Sequence, residues 1–205
     1  FKSIDEDCVK KVAETFSIPH TIARVMSLRG IQNRENSKKF FYPHLEGIHD
    51  PFLMKDMEDA VSRILQTISE KKSILIFGDY DVDGTTSAAF LTLFFQSLEV
   101  DVHYYIPSRE KEGYGVSKQG IEYGKLIGAD ILITCDCGIN AFEQVDFANS
   151  LGIDVIISDH HKPEAKLPDA AAVINPNRLD CNYPFKGLCG AGVAFKLALA
   201  LCQKG

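Results

Sequence analysis

Two hydrophobic periods divide the 205-residue chain. Up to about residue 70, apolar positions recur every three or four residues among polar ones, the spacing of amphipathic helices. "DEDCVKKVAETF" (5–16) reads as a short helix; Pro19 opens a second that runs to "MSLRG", where Gly30 is a natural stop. In "DPFLMKDMEDAVSRILQTISEKK" (50–72), Met54, Met57, Val61, Ile64, Leu65 and Ile68 form a stripe whose simplest reading is a core-facing helix. From residue 73 the pattern becomes short continuous apolar runs separated by helical stretches. "SILIFG", "VDVHYYI", "DILITC", "DVIISD" and "AAVINP" read as strands. Helices are expected over 85–98, 117–127, 140–152 and 190–203, with "PSREKEGYGVS" (107–117) as a loop. Continuous apolar strands are those of a parallel sheet covered on both faces. The expectation is an α/β protein: a doubly wound, mainly parallel sheet flanked by helices over residues 71–205, after a helical N-terminal segment over residues 1–70.

In such sheets ligands bind beyond the carboxyl ends of the strands. Asp79, Asp81 and Asp83 follow the first strand, Arg109 the second, Asp136 the third, and Asp159, His160 and His161 the fourth. An aspartate after a strand is commonly a turn residue or a helix cap, but four successive strands deliver charged or imidazole groups to one edge.

Three carboxylates within five residues repel one another unless a positive charge sits among them, and a metal ion is the natural candidate. On extended backbone, Asp81 and Asp83 point the same way. Gly84 permits a sharp turn, and Thr85 or Thr86 is expected to cap the next helix, whose free N–H groups would then suit a phosphate. Asp136 in "ITCDCGIN" adds a carboxylate able to bridge two ions. In "IISDHHKPE", one imidazole can bind metal while a carboxylate fixes its tautomer, and the other can meet substrate phosphate or shuttle a proton. Carboxylate and imidazole donors favour Mn²⁺ or Mg²⁺ over a thiolate-bound soft metal.

Composition narrows the class. At 45% hydrophobic the chain can bury a large core, and no apolar run has transmembrane length. It begins at Phe1 rather than Met, so the true N-terminus is expected to lie upstream. The net charge of −6 argues against a generally basic nucleic-acid coat while leaving room for a local basic groove. Six cysteines without a C-x-x-C pair argue against structural zinc and a disulfide scaffold, and fit reduced thiols in an intracellular, cytoplasmic protein.

The order "GDYDVDGTTSA", "TCDCGIN", "SDHH" resembles the DHH phosphoesterase superfamily. The flanking "RVMSLRGI", "DPFLMKDMEDAVSRI", "YIPSREKEGYGVS", "INPNR" and "LCGAGVAFKLALAL" resemble one branch of it, the RecJ-type bacterial single-strand-specific exonucleases, over about residues 22–202. The resemblance implies a Mn²⁺- or Mg²⁺-dependent hydrolase that degrades single-stranded DNA from the 5′ end in repair and recombination, with a single-strand-binding protein or a helicase as partners and no membrane. Carried over by motif, Asp81, Asp83, Asp136 and His160 would be metal ligands, Asp79 and Asp159 ligands or their supports, and His161 a substrate-side group. Arg109 and the Gly113, Tyr114, Gly115 loop would lie near nucleic-acid phosphates. The family has a further aspartate motif after the "GAGVAFKL" helix, then a second domain and an OB fold. Against that pattern the 205 residues look like an N-terminal catalytic fragment with an incomplete metal site.

Rival readings are an oligonucleotide or cyclic-dinucleotide phosphodiesterase or a pyrophosphatase of the same superfamily, and a non-catalytic nucleic-acid-binding scaffold. "DVDGTT" also matches the start of haloacid-dehalogenase-like phosphatases, but their nucleophilic aspartate sits directly at a strand end, and here the strand ends earlier, at "IFGDY".

Overall fold

The computed structural model describes residues 4–205. By its contacts the chain divides between His49 and Asp50. The first unit carries α1 (Glu6–Phe16), α2 (His20–Leu28) and α3 (Arg34–Phe41). Asp5 caps α1 by accepting the N–H of Asp7, and Val9, Val12, Ala23, Met26 and Ile31 form its core.

The second unit runs α4 (Met57–Ser69), β1 (Ser73–Gly78), α5 (Val82–Ser97), β2 (Val102–Tyr105), α6 (Arg109–Glu112), α7 (Lys118–Leu126), β3 (Ala129–Cys135), α8 (Phe142–Ser150), β4 (Asp154–Ser158), β5 (Ala172–Ile174) and α9 (Gly190–Lys204). Helix α4, which the sequence pattern groups with the N-terminal segment, belongs here. Its stripe of Met57, Val61 and Ile64 is buried in the same core as strand residues Ile74 and Ile131.

All five strands are parallel, in the order β2-β1-β3-β4-β5. Along β1, Ile74 and Ile76 enter one core with α4, α5 and α9, while Leu75 and Phe77 enter the other with α7 and α8. That alternation explains the unbroken apolar run: each successive side chain meets a helical layer. The order reverses between β1 and β3. The chain leaves β1 for β2 on one side and returns to β3 on the other, which opens a crevice at the carboxyl ends of these two strands.

At the amino end of the sheet, Arg63 of α4 ties two strands together, with Nη2 2.7 Å from Asp130 and Nε 2.6 Å from Asp154. Two expectations need correction. Helix α5 starts at Val82, three residues before Thr85, and its cap is Asp81. The expected loop at 107–117 contains the short helix α6.

Candidate metal centre

The register aligns Gly78 with Cys135, Cys135 with Ser158, and Ser158 with Ile174. The ladder continues one step past the strands: Asp79 N–H donates to Cys135, Asp136 N–H to Ser158, and Asp159 N–H to Ile174. Asp79, Asp136 and Asp159 therefore stand side by side on the carboxyl edge, at most 1% exposed. Asp136 adopts φ 64°, a left-handed conformation uncommon outside glycine that an aspartate tolerates better than most residues.

Two donor groups converge there. Atoms of Asp79, Asp81 and Asp136 lie within 4.8 Å of one another, as do atoms of Asp136, His160 and His161. Asp136 is common to both. Among the described residues, no well-formed hydrogen bond reaches either oxygen of Asp79 or Oδ1 of Asp136, and the N–H groups of Tyr80 and Gly115 near Asp79 only partly offset its burial. Oδ1 of Asp136 nevertheless lies 3.0 Å from Nε2 of His160. Buried carboxylate oxygens without donors are costly, and an acceptor facing an imidazole nitrogen with no hydrogen bond between them is the arrangement a shared cation resolves. The donors are all oxygen and imidazole nitrogen, a set that suits Mn²⁺ or Mg²⁺.

The electrostatics agree. Burial raises the pKa of Asp79, and raises Asp136 to about 7 with the charges of Asp81 and Asp83 adding to it. Asp159 behaves oppositely. Burial alone would raise it, but His161 Nδ1 at 2.8 Å and the N–H groups of His160, His161 and Ile139 hold it below the usual carboxylate range. The same hydrogen bond raises His161 to about 8. Asp159 is thus fully engaged in orienting the two histidines, and His161 presents Nε2 outward.

Asp81 and Asp83 do not lie on one stretch of extended backbone, because α5 begins between them. Oδ1 of Asp81 accepts the N–H groups of Asp83 and Gly84, each at 2.9 Å, so these two N–H groups at the start of α5 are already engaged within the protein and are not free for a phosphate. Asp83 instead accepts from Gly190 and Ala191, the first residues of α9, at 2.8 and 2.9 Å, with Oδ2 3.9 Å from His160 Nε2. Burial acts to raise Asp83, and these N–H groups outweigh it to hold the carboxyl below its ordinary value. Two glycines permit this packing. A Cβ on Gly84 would fall on the backbone of Asp79, and one on Gly190 would overlap the Asp136 carboxylate.

The rim is aromatic and cationic. Arg109 places its guanidinium carbon 5.4 Å from the Tyr80 ring centroid, and Tyr114 sits edge-on to both Tyr80 and His161. The Tyr114 hydroxyl is 3.3 Å from His161 Nε2. Gly113 and Gly115 turn the loop with φ 83° and 81°. Glu112 pins it by accepting from Tyr105, Ser117 and the Ser108 N–H. Beside His161 a cavity of about 450 Å³ opens between this loop, the turn after β3 and Lys162. Sequence reasoning assigned no role to Tyr80, Glu112 or the start of α9, although the stretches that hold them carry the family resemblance. The six cysteines are all free, and among the described residues no helix is long and apolar enough to cross a membrane.

The chain resembles known proteins in both sequence and fold. Residues 73–204 match the DHH family, N-terminal domain. The chain is 44% identical over 197 residues to the single-stranded-DNA-specific exonuclease RecJ of Bacillus subtilis, covering 96% of this chain and 25% of the relative. With RecJ of Escherichia coli it is 39% identical, covering 90% and 31%. A crystal structure of exonuclease RecJ bound to manganese superposes with a TM-score of 0.67 at 34% identity, covering 74% of this chain and 38% of that one. RecJ from Thermus thermophilus in complex with Mn²⁺ gives 0.74 at 25% identity, covering all of this chain and 28% of that one. The chain thus spans about a quarter to a third of the length of these curated relatives. On its motifs, its fold and a family match over most of its length, the chain belongs to the DHH family.

Proposed function

We propose that this chain is the catalytic DHH module, with its helical N-terminal segment, of a metal-dependent phosphodiesterase that hydrolyses single-stranded DNA from the 5′ end in repair and recombination. The observation that carries the reading is Asp136, buried at the β1/β3 crevice and shared between two donor groups in which Oδ1 of Asp136 and both oxygens of Asp79 lack hydrogen-bond partners among the described residues. The RecJ relatives, two of them solved with manganese, supply the substrate class.

Asp79, Asp81 and Asp136 would hold one Mn²⁺ or Mg²⁺ ion, and Asp136 and His160 a second, with Asp83 at the edge of that group. Such ions activate water and stabilise charge on the oxygens of an in-line phosphoryl displacement. Asp159 fixes the His161 tautomer with the proton on Nδ1. His161 Nε2 then faces the substrate, where an imidazolium donates a hydrogen bond to a phosphoryl oxygen or a proton to the leaving oxygen. Arg109, held over Tyr80, meets a backbone phosphate, and the Gly113–Tyr114–Gly115 turn lets the chain approach closely. The same reading carries a cytoplasmic location and a single-strand-binding protein or a helicase as partners.

The test is Mn²⁺-dependent release of nucleotides from 5′-labelled single-stranded DNA. It would use the chain alone and a chimera in which the chain replaces the matching quarter of the Bacillus subtilis relative. Activity in the chimera that disappears with Asp136→Ala supports the reading. A chimera inert on DNA but hydrolysing dinucleotides or pyrophosphate shifts it to another branch of the superfamily.

A further inference from the structure

The row of buried polar residues on the carboxyl edge has a fourth member. Because Ser158 pairs with Ile174, the residue beside Asp159 is Asn175, 0% exposed. Its Nδ2 donates to the backbone carbonyl of His161 at 2.9 Å, and its Oδ1 accepts the N–H of Asn177 at 2.7 Å. Asn177, half-buried, donates from Nδ2 to the carbonyl of His160 at 2.5 Å. On the opposite side, Oδ1 of Asp159 accepts the N–H groups of His160 and His161 at 2.7 and 3.1 Å. All four polar backbone groups of this dipeptide are therefore held by side chains, in a segment that lies beyond the end of β4 and outside any ladder.

We propose that Asn175 and Asn177 are positioning residues of the metal centre. Their amides fix the peptide planes of His160 and His161, so the His160 imidazole is aimed at Asp136 and the His161 imidazole is held against Asp159 before an ion arrives. The proposal rests on the metal reading above and adds to it the device that pre-organises the ligands. The clamp is itself anchored. Pro176 between the two amides has a restricted φ, Lys186 Nζ donates to its carbonyl, and Arg178 Nη1 donates to the Val173 carbonyl at 2.6 Å. An amide suits position 175 because Nδ2 donates to one backbone group while Oδ1 accepts from another. An aspartate of the same shape would set an oxygen against the His161 carbonyl and add a negative charge to an edge that already carries three.

The experiment measures Mn²⁺ binding from the electron paramagnetic resonance signal of the free ion, without turnover, beside the melting temperature of the metal-free protein. Asn177→Ala should weaken Mn²⁺ binding about tenfold, and Asn175→Asp by at least as much. Arg63→Ala, at the opposite end of the sheet, reports what destabilisation alone does to binding. Should Asn175→Asp not fold, Asn177→Ala decides. An Asn177→Ala affinity within twofold of wild type, or a loss no larger than that of Arg63→Ala, overturns the proposal. Wild-type protein that binds no Mn²⁺ overturns the metal centre itself, and this proposal with it.

Discussion

The carboxylate of Asp83 accepts the backbone N–H of Gly190, 107 residues further along the chain, at 2.8 Å. With Ala191 it satisfies two of the N–H groups that a helix start leaves without intrahelical partners. Asp83 is therefore a cap for α9 supplied from another helix. Asp83→Ala should destabilise the metal-free protein by about 1–2 kcal/mol, measured by urea unfolding in the presence of a chelator. Asp83→Asn, which keeps one acceptor oxygen, should lose less. Equal stability of all three proteins would show that the cap contributes nothing and leave Asp83 to the metal alone.

Arg63 predicts an effect at the other end of the sheet. Its guanidinium joins Asp130 and Asp154, and Thr67 Oγ1 adds a hydrogen bond to Asp130 at 2.8 Å. Burial acts to raise Asp130, but the hydrogen bond from Arg63 and its other donors hold it below its ordinary value. A carboxyl depressed on folding contributes stability that is complete above its unfolded pKa, about 3.9, and is lost as pH falls through the lower folded value. Arg63→Ala should cost about 3 kcal/mol at pH 7, because it leaves Asp130 largely buried without its main partner. It should also flatten the loss of stability as pH falls below about 4. Acid unfolding curves parallel to wild type would contradict this origin.

Much of this architecture was legible because burial on both sheet faces leaves continuous apolar runs, as in "SILIFG", and because the residues after those runs are charged. Where the chain turns, local rules misled. Thr85 and Thr86 have good capping chemistry, but Asp81 reaches the free N–H groups first, so the helix starts earlier and Asp83 falls within its first turn. The partners of Asp83 and of the two histidines lie far along the chain, at Gly190 and at Asn175 and Asn177. Contacts of that kind follow from strand register and helix docking and leave no local periodicity to read. "INPNR" and "LCGAGVAFKLALAL" stood out only through the family they resemble.

Arg109 separates binding from chemistry. It is exposed and stacked on Tyr80, away from the buried carboxylate row. A cation that meets a phosphate contributes to affinity through counterion release. Arg109→Ala in an active chimera should raise KM for single-stranded DNA severalfold and lower the salt slope of binding by about one, with Mn²⁺ affinity unchanged. A loss confined to kcat would instead place Arg109 among the groups acting on the transition state.

Asp136 makes the strongest pH prediction. Its folded pKa of about 7 lies above the unfolded value because burial, and then Asp81 and Asp83, oppose its ionisation. Such a group favours the folded state in its protonated form: the contribution is complete below about pH 4 and is lost as pH rises through 7. Metal-free protein should lose stability over this interval, and saturating Mn²⁺ should restore it above pH 7 by binding only the folded state. Asp136→Asn removes the charge, so at pH 8 the metal-free variant should be more stable than wild type by about 1 kcal/mol or more while failing to gain from Mn²⁺. Calorimetry of both proteins at pH 5 and pH 8, with chelator and with Mn²⁺, checks each statement. A variant less stable than wild type at pH 8 without metal would mean that the Asp136 carboxylate makes a structural contact of its own, and the case for a cation at this crevice would lose its main support.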